Sequence, residues 1–230
     1  MARGLRWVSV HDIDLAGRVV QTGSIDQPSY ATQVEAVTGV NGGFVIAWSE
    51  LRNNGAQGSR IVTSRIAKSG QAGWQASAPL VLDDGGNEWG LSAPSVAANG
   101  NRVLVTWAAL SGGGYGGEVR QALLDDQGTR VAANVAVRWA LAVYRTRSRP
   151  SPSGFATLVS TGIVLTSLDG KIWGTIDLSQ TYISDFLVNG DDRFTIAYGR
   201  YATPDEAFGN TYRAFIRSVE PTRGRPSRMR

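Results

Sequence analysis

The chain has 230 residues, 28 of them glycine, a net charge of +4 and only 18% charged residues, with a pI near 9.7. It has no cysteine, which excludes thiolate catalysis and thiolate-ligated metals; a domain of this length can bury a core without disulfides, so an oxidising compartment stays open. Arginine carries the basic balance, Lys68 and Lys171 being the only lysines, and no continuous basic stripe or recognition motif accompanies it, so nucleic acid is not an expected partner.

Alternating apolar and polar residues, without a long 3.6-residue period, predict an almost wholly β chain. Residues 1–7 lack the apolar stretch of a signal peptide, and no segment reaches the apolar length of a membrane span. The first predicted strands are Val8–Ile13, ending at Gly17, and Arg18–Ile25. A fuller unit follows over 33–83: Asn41-Gly42-Gly43 leads into Phe44–Trp48, then Ile61–Ile66 ends near Gly70, then comes Ala78–Leu82. A second copy over 93–137 runs Asn99-Gly100-Asn101, Val103–Trp107, Val119–Leu124 before Gly128, and Val131–Val137. A third, over 140–178, reads as degraded, with Gly154–Val159 and Ile163–Ser167 as its middle strands. A fourth, Tyr182 to Val219, contains Asn189-Gly190-Asp191-Asp192 before Phe194–Tyr198 and lacks a last strand. Repetition at this spacing means one supersecondary unit copied several times. Four antiparallel strands per copy is the composition of a propeller blade.

The expectation is therefore an all-β propeller over residues 1–219 with a flexible basic tail over 220–230. Roughly 17 strands fall between four and five complete blades; five blades are expected, with four blades or an incomplete ring as alternatives. The ring closes within one chain, is completed by another chain, or belongs to a longer protein. Trp48, Trp107 and Tyr198 occupy equivalent positions and read as core.

Residues 41–48, a glycine-rich loop and Arg65-Ile66-Ala67-Lys68-Ser69-Gly70 resemble the propeller-like repeats of bacterial surface and adhesin-type proteins. Thr166-Ser167-Leu168-Asp169-Gly170-Lys171-Ile172-Trp173 resembles a shortened Asp-box of sialidase-like propellers. The resemblance implies structural roles for Ser167, Asp169, Gly170 and Trp173. It does not supply the arginine triad, Tyr/Glu pair and aspartic acid–base of a sialidase in a matching context.

His11, the only histidine, reads as an ordinary strand residue although Asp12 and Asp14 flank it. Asp83-Asp84, Asp125-Asp126 and Asp191-Asp192 lie beside predicted turns, where aspartate is favoured for geometry. Oxygen ligands are densest at Asp83, Asp84, Asn87 and Glu88, but their spacing matches no calcium loop. No catalytic residues, metal site or cofactor is predicted.

In a four-stranded meander the 1–2 and 3–4 turns share one end, and the 2–3 loops and links between copies share the other. The first set is short here; the second, 52–58, 111–117, 201–210 and 84–92, is long and varied. Binding residues concentrate on loops held by a rigid scaffold. The expected ligand-binding residues are Trp89, Tyr115, Asn87, Glu88, Asn53 and Tyr201, an aromatic platform with amide and carboxylate groups suited to glycan or protein. The expected function is non-catalytic recognition or assembly in a bacterial surface protein or a phage tail or virion component. The alternatives are a glycoside hydrolase using carboxylates at the same end and a purely structural subunit. The expected partners are a glycan or protein surface and further copies of the chain, with no membrane insertion. The expected location is extracellular, on a cell surface or in a virion.

Overall fold

The computed structural model describes residues 6–27, 31–38, 42–51, 59–69, 73–85, 90–110, 117–139, 145–159, 162–177, 182–201, 212–219 and 221. Strands alone make up its regular structure, and no helix is long and apolar enough to cross a membrane among these residues. The first sheet is a hairpin of β1 (Arg6–Ile13) and β2 (Val19–Gln27). The second orders β3 (Ala31–Thr38), β4 (Gly43–Leu51), β5 (Ser59–Lys68) and β6 (Trp74–Ala76), and β7 (Leu80–Asp83) also pairs with β5. The third orders β8 (Ser95–Asn99), β9 (Arg102–Leu110), β10 (Gly117–Asp125) and β11 (Val135–Trp139). The fourth orders β12 (Arg147–Ser151), β13 (Gly154–Val159), β14 (Gly162–Ser167) and β15 (Ile172–Asp177). The fifth holds β16 (Tyr182–Val188), β17 (Phe194–Tyr201) and β18 (Tyr212–Val219). Every pairing is antiparallel between strands of one sequence neighbourhood, so each sheet is a meander.

Three expectations need correction. The third copy is not degraded: β12 to β15 form a complete four-stranded sheet. The fourth strand of the second sheet is two pieces, β6 and β7, not Ala78–Leu82. Pro79 has no N–H to give the ladder, and Ser77 carries the pairing across the gap. Its N–H donates to the Arg65 carbonyl at 2.8 Å, and its Oγ accepts from the Arg65 N–H at 3.0 Å. The fourth strand of the third sheet begins at Val135 rather than Val131, after an isolated bridge between Leu124 and Arg130.

The 3–4 turns share one build. In Asp14–Arg18, Asp125–Thr129 and Ser167–Lys171 the first N–H bonds the fifth carbonyl, and the glycine N–H bonds the first carbonyl. Gly17, Gly128 and Gly170 hold φ of +79°, +79° and +85°. This is a type I turn closed by a left-handed glycine bulge, which suits the twist of the flanking strands. Asp125 adds its carboxylate, accepting from the N–H groups of Gln127 and Thr129 at 2.9 and 2.8 Å.

Successive sheets pack face to face with a constant sidedness. Val45 and Ala47 of β4 meet Val103, Val105 and Trp107 of β9. The opposite face of β9, through Leu104, meets Phe155 of β13. Ala156 and Leu158, on the other face of β13, meet Phe194 and Ile196 of β17. The side chain that ends each strand-two motif thus looks back toward the preceding sheet. Trp48 and Trp107 are fully buried there and Tyr198 is half-buried, while the third full copy uses Val159 at the same place. Burying a large apolar side chain contributes about 1.5–3 kcal/mol, so Trp48, Trp107, Phe155, Phe186 and Phe194 dominate the core. The second to fifth sheets approach one another through their first strands, β3 neighbouring β8, β8 neighbouring β12, and β16 neighbouring β12 and β13, while the first sheet approaches the second through β2 and β6.

Candidate functional site

The meander brings the ends of β4, β7 and β9 and the starts of β5 and β10 to one end of the second and third sheets. Their anchors are acidic. Trp48 donates its indole N–H to Glu50 Oε1 at 2.8 Å, and Arg60 Nε reaches Glu50 Oε2 at 2.6 Å. Residues two apart on a strand share a face, so Trp48 and Glu50 meet within β4. Trp107 instead finds its acceptor in the preceding sheet, donating to Asp83 Oδ2 at 2.8 Å. Arg120 Nη1 joins the same oxygen at 3.0 Å, and Arg120 Nη2 pairs with Glu118 at 3.0 Å. Gly85 N–H donates to Asp83 Oδ1 at 3.0 Å. Burial alone would raise the Asp83 carboxyl; the Gly85, Arg120 and Trp107 donors outweigh it and hold it below its ordinary value.

Ser59, the first residue of β5, organises the loops above. Its Oγ accepts the Leu91 N–H at 2.7 Å, and Gly85 lies so close that an added Cβ would stand 2.0 Å from the Ser59 carbonyl oxygen. Leu91 also bridges Ala109, next to the end of β9. Ser92 completes the tie: its N–H donates to the Ala108 carbonyl and its Oγ accepts from the Ala108 N–H, each at 2.8 Å. Three long segments, 52–58, 86–89 and 111–116, are therefore rooted around Ser59, Leu91 and Ala109. Asn53, Asn87, Glu88, Trp89 and Tyr115 fall in those segments and lie outside the described residues. The sixth expected ligand residue, Tyr201, ends β17 opposite Tyr212 in the fifth sheet, not in the second or third.

Asp83 stood out in the sequence only as an oxygen-rich neighbour of Asp84, Asn87 and Glu88; Glu50, Arg60, Glu118 and Arg120 were not expected at this end. The Trp48–Glu50 spacing was a readable signal; the Asp83–Trp107 contact spans 24 residues and had none. Among the described residues no group of three or more His, Asp or Glu side chains is placed to hold a metal.

Elsewhere the charged residues hold structure. Asp185 on β16 pairs with Arg147 at 2.9 Å and Arg149 at 3.2 Å on β12. Burial would raise its carboxyl, but Arg147, the Phe186 N–H and Arg149 bring it below the ordinary value. Asp14 Oδ2 accepts from its own turn's Arg18 at 2.8 Å, and His11 is exposed on β1. In the Asp-box-like turn Ser167 bonds Asp169, and Lys171 pairs with Asp169 at 2.7 Å. Those two contacts, Lys171 first, bring the Asp169 carboxyl to about 2. Trp173 packs on the core between the fourth and fifth sheets. No protein-family model matches the chain, and no curated protein matches it in sequence.

Proposed function

We propose that this chain is a non-catalytic recognition module whose five sheets are propeller-type blades, the first and last incomplete. Its ligand is a glycan or protein surface engaged by the long-loop end, in a bacterial surface protein or a phage tail or virion component. The blade reading is supported by the constant sidedness of packing and by first strands that run side by side. The observation that carries recognition over catalysis is the engagement of the anchoring carboxylates. Glu50 and Asp83 each accept an indole N–H and an arginine, and Glu118 pairs with that same Arg120. A glycosidic acid or base needs a carboxyl group free to exchange a proton with substrate, and these are committed to the scaffold. What varies between copies is the set of segments rooted at Ser59, Leu91 and Ala109, which contain Trp89 and Tyr115.

A glycan array tests this reading. Binding that disappears in Trp89→Ala or Tyr115→Ala, with the far-UV spectrum and melting temperature unchanged, is the expected result. Turnover of a glycoside by the wild type, or binding indifferent to both substitutions, would set the reading aside.

A further inference from the structure

The repeat shows which positions should be covered, and at the two ends of the stack they are not. The residue opposite the first apolar residue of strand two (Phe44, Val103, Phe155 or Phe194) looks toward the preceding sheet. It is Ile66 in β5, Leu124 in β10, Thr166 in β14 and Val219 in β18. Their exposures are 1%, 0%, 0% and 8%. In the first sheet the same place belongs to Ile13, four residues before its turn glycine as Leu124 and Thr166 are, and Ile13 is 63% exposed. Val19, its partner across the hairpin, is 56% exposed.

The opposite face repeats the pattern at the other end. Thr63 opposite Ala47, Gln121 opposite Thr106 and Ile163 opposite Leu158 look toward the following sheet and are 1%, 3% and 0% exposed. Ile216, opposite Ala197 in the fifth sheet, holds that place and is 79% exposed. Leu187 on β16, on the same face across β17, is 58% exposed. A preceding sheet would cover Ile13, and a following sheet would cover Ile216. The chain contains both halves of one interface.

We infer that the fifth sheet of one copy receives the first sheet of a second copy, with the Ile13–Val19 face seated on the Ile216–Leu187 face. The interface continues the one already formed three times inside the chain, between the second and third, third and fourth, and fourth and fifth sheets. It is head-to-tail, so repetition gives a closed ring of copies or a filament according to the angle. The inference rests on the blade reading but not on ligand recognition: loss of glycan binding leaves it standing.

The absence of native cysteine gives the test a silent background. Ile13→Cys protein mixed with Ile216→Cys protein should form a covalent dimer under mild oxidation, in excess of either variant alone. The double variant should form a ladder of multiples that collapses on reduction. Light scattering of wild type should give multiples of 24.6 kDa, and Ile216→Asp should return the mass to one copy with an unchanged β spectrum. A disulfide confined within single chains, or a monomeric wild type at its highest soluble concentration, would overturn the inference.

Discussion

Trp107 donates its indole N–H to Asp83 although the two lie in different sheets, Asp83 ending β7 and Trp107 lying near the end of β9. The bond joins the last strand of one copy to the second strand of the next. It also ties the repeat's largest side chain to the base of the 86–89 segment, through the Gly85 N–H on the other Asp83 oxygen. A fully buried indole N–H needs an acceptor, because leaving it unpaired costs about 1–3 kcal/mol. Scaffold and loop anchor are one set of contacts.

Asp83→Asn should therefore lower stability at neutral pH, by about 1.5–3 kcal/mol for bonds to a charged acceptor. The Asp83 carboxyl lies below its ordinary value of 3.8 when folded. Its contribution is then fully present above that value and is lost as pH falls through the lower, folded one. Urea midpoints of wild type and variant, compared from neutral pH downward, should differ most at neutral pH and converge below about pH 4. A gap that stays constant with pH would show that the carboxylate's charge is not what matters.

Glu50 and Arg60 make the parallel anchor in the second sheet, with Glu50 buried and the Arg60 side chain 36% exposed. Arg60→Ala leaves a buried carboxylate with its arginine gone, at a cost of about 2–3 kcal/mol once the exposure of Arg60 is discounted. In a Glu50→Gln background the same substitution should cost less than about 1 kcal/mol, because no buried charge is stranded. A double-mutant cycle by chemical denaturation reads the difference; equal costs in both backgrounds would refute the coupling.

What the sequence disclosed follows from which forces act locally. Gly154–Val159 was legible to the residue, because a turn glycine opens a run that is apolar but for Thr157. The turns at Gly17, Gly128 and Gly170 were legible for the same reason. The completeness of the fourth sheet was hidden. Every residue of β13 is buried, so it lacks a period-two signal, and β12 carries Pro150 and two arginines that mimic a loop. The split into β6 and β7 was hidden too, since Ser77's hydroxyl stands in for a ladder group without altering the hydrophobic pattern. Loop residues such as Trp89 and Tyr115 stand out in the sequence only by composition and by their place in the repeat. The Trp107–Asp83 anchor depends on a contact between strands of different sheets, which no local pattern encodes, whereas Trp48 and Glu50 stand two apart on one strand.

Two turn glycines of similar sequence appearance should respond differently to alanine. Gly17, at φ +79°, has nothing within 4 Å of an added Cβ, so Gly17→Ala pays only the left-handed backbone penalty of about 1–2 kcal/mol. Gly154, at φ +141°, would place a Cβ 2.1 Å from the Thr166 carbonyl oxygen and 2.8 Å from the Ser167 Cα. No side-chain rotation relieves a clash with backbone. Gly154→Ala should open the β13–β14 pairing and yield insoluble or markedly less stable protein, while Gly17→Ala stays folded. Comparable melting temperatures for the two variants would contradict the close approach.

The short-turn end carries its own ties between sheets, and these give the last prediction. Asn99, opening the β8–β9 turn, donates its Nδ2 to the carbonyls of Ser151 and Gly154 at 2.8 and 2.7 Å. Both acceptors flank the β12–β13 turn of the next sheet. That turn reaches onward in turn, Ser153 bonding Asp192, a non-glycine residue held at φ +60°. Turn is linked to turn across three sheets, so the end opposite the loops is a continuous belt. Asn99→Ala removes both bonds from the third to the fourth sheet and should cost about 1–3 kcal/mol. Because the strained Asp192 sits in the next link, amide exchange should quicken across residues 151–154 and 189–193, with the second sheet unchanged. Exchange that rises uniformly over the chain would mean that the belt adds only global stability and does not act link by link.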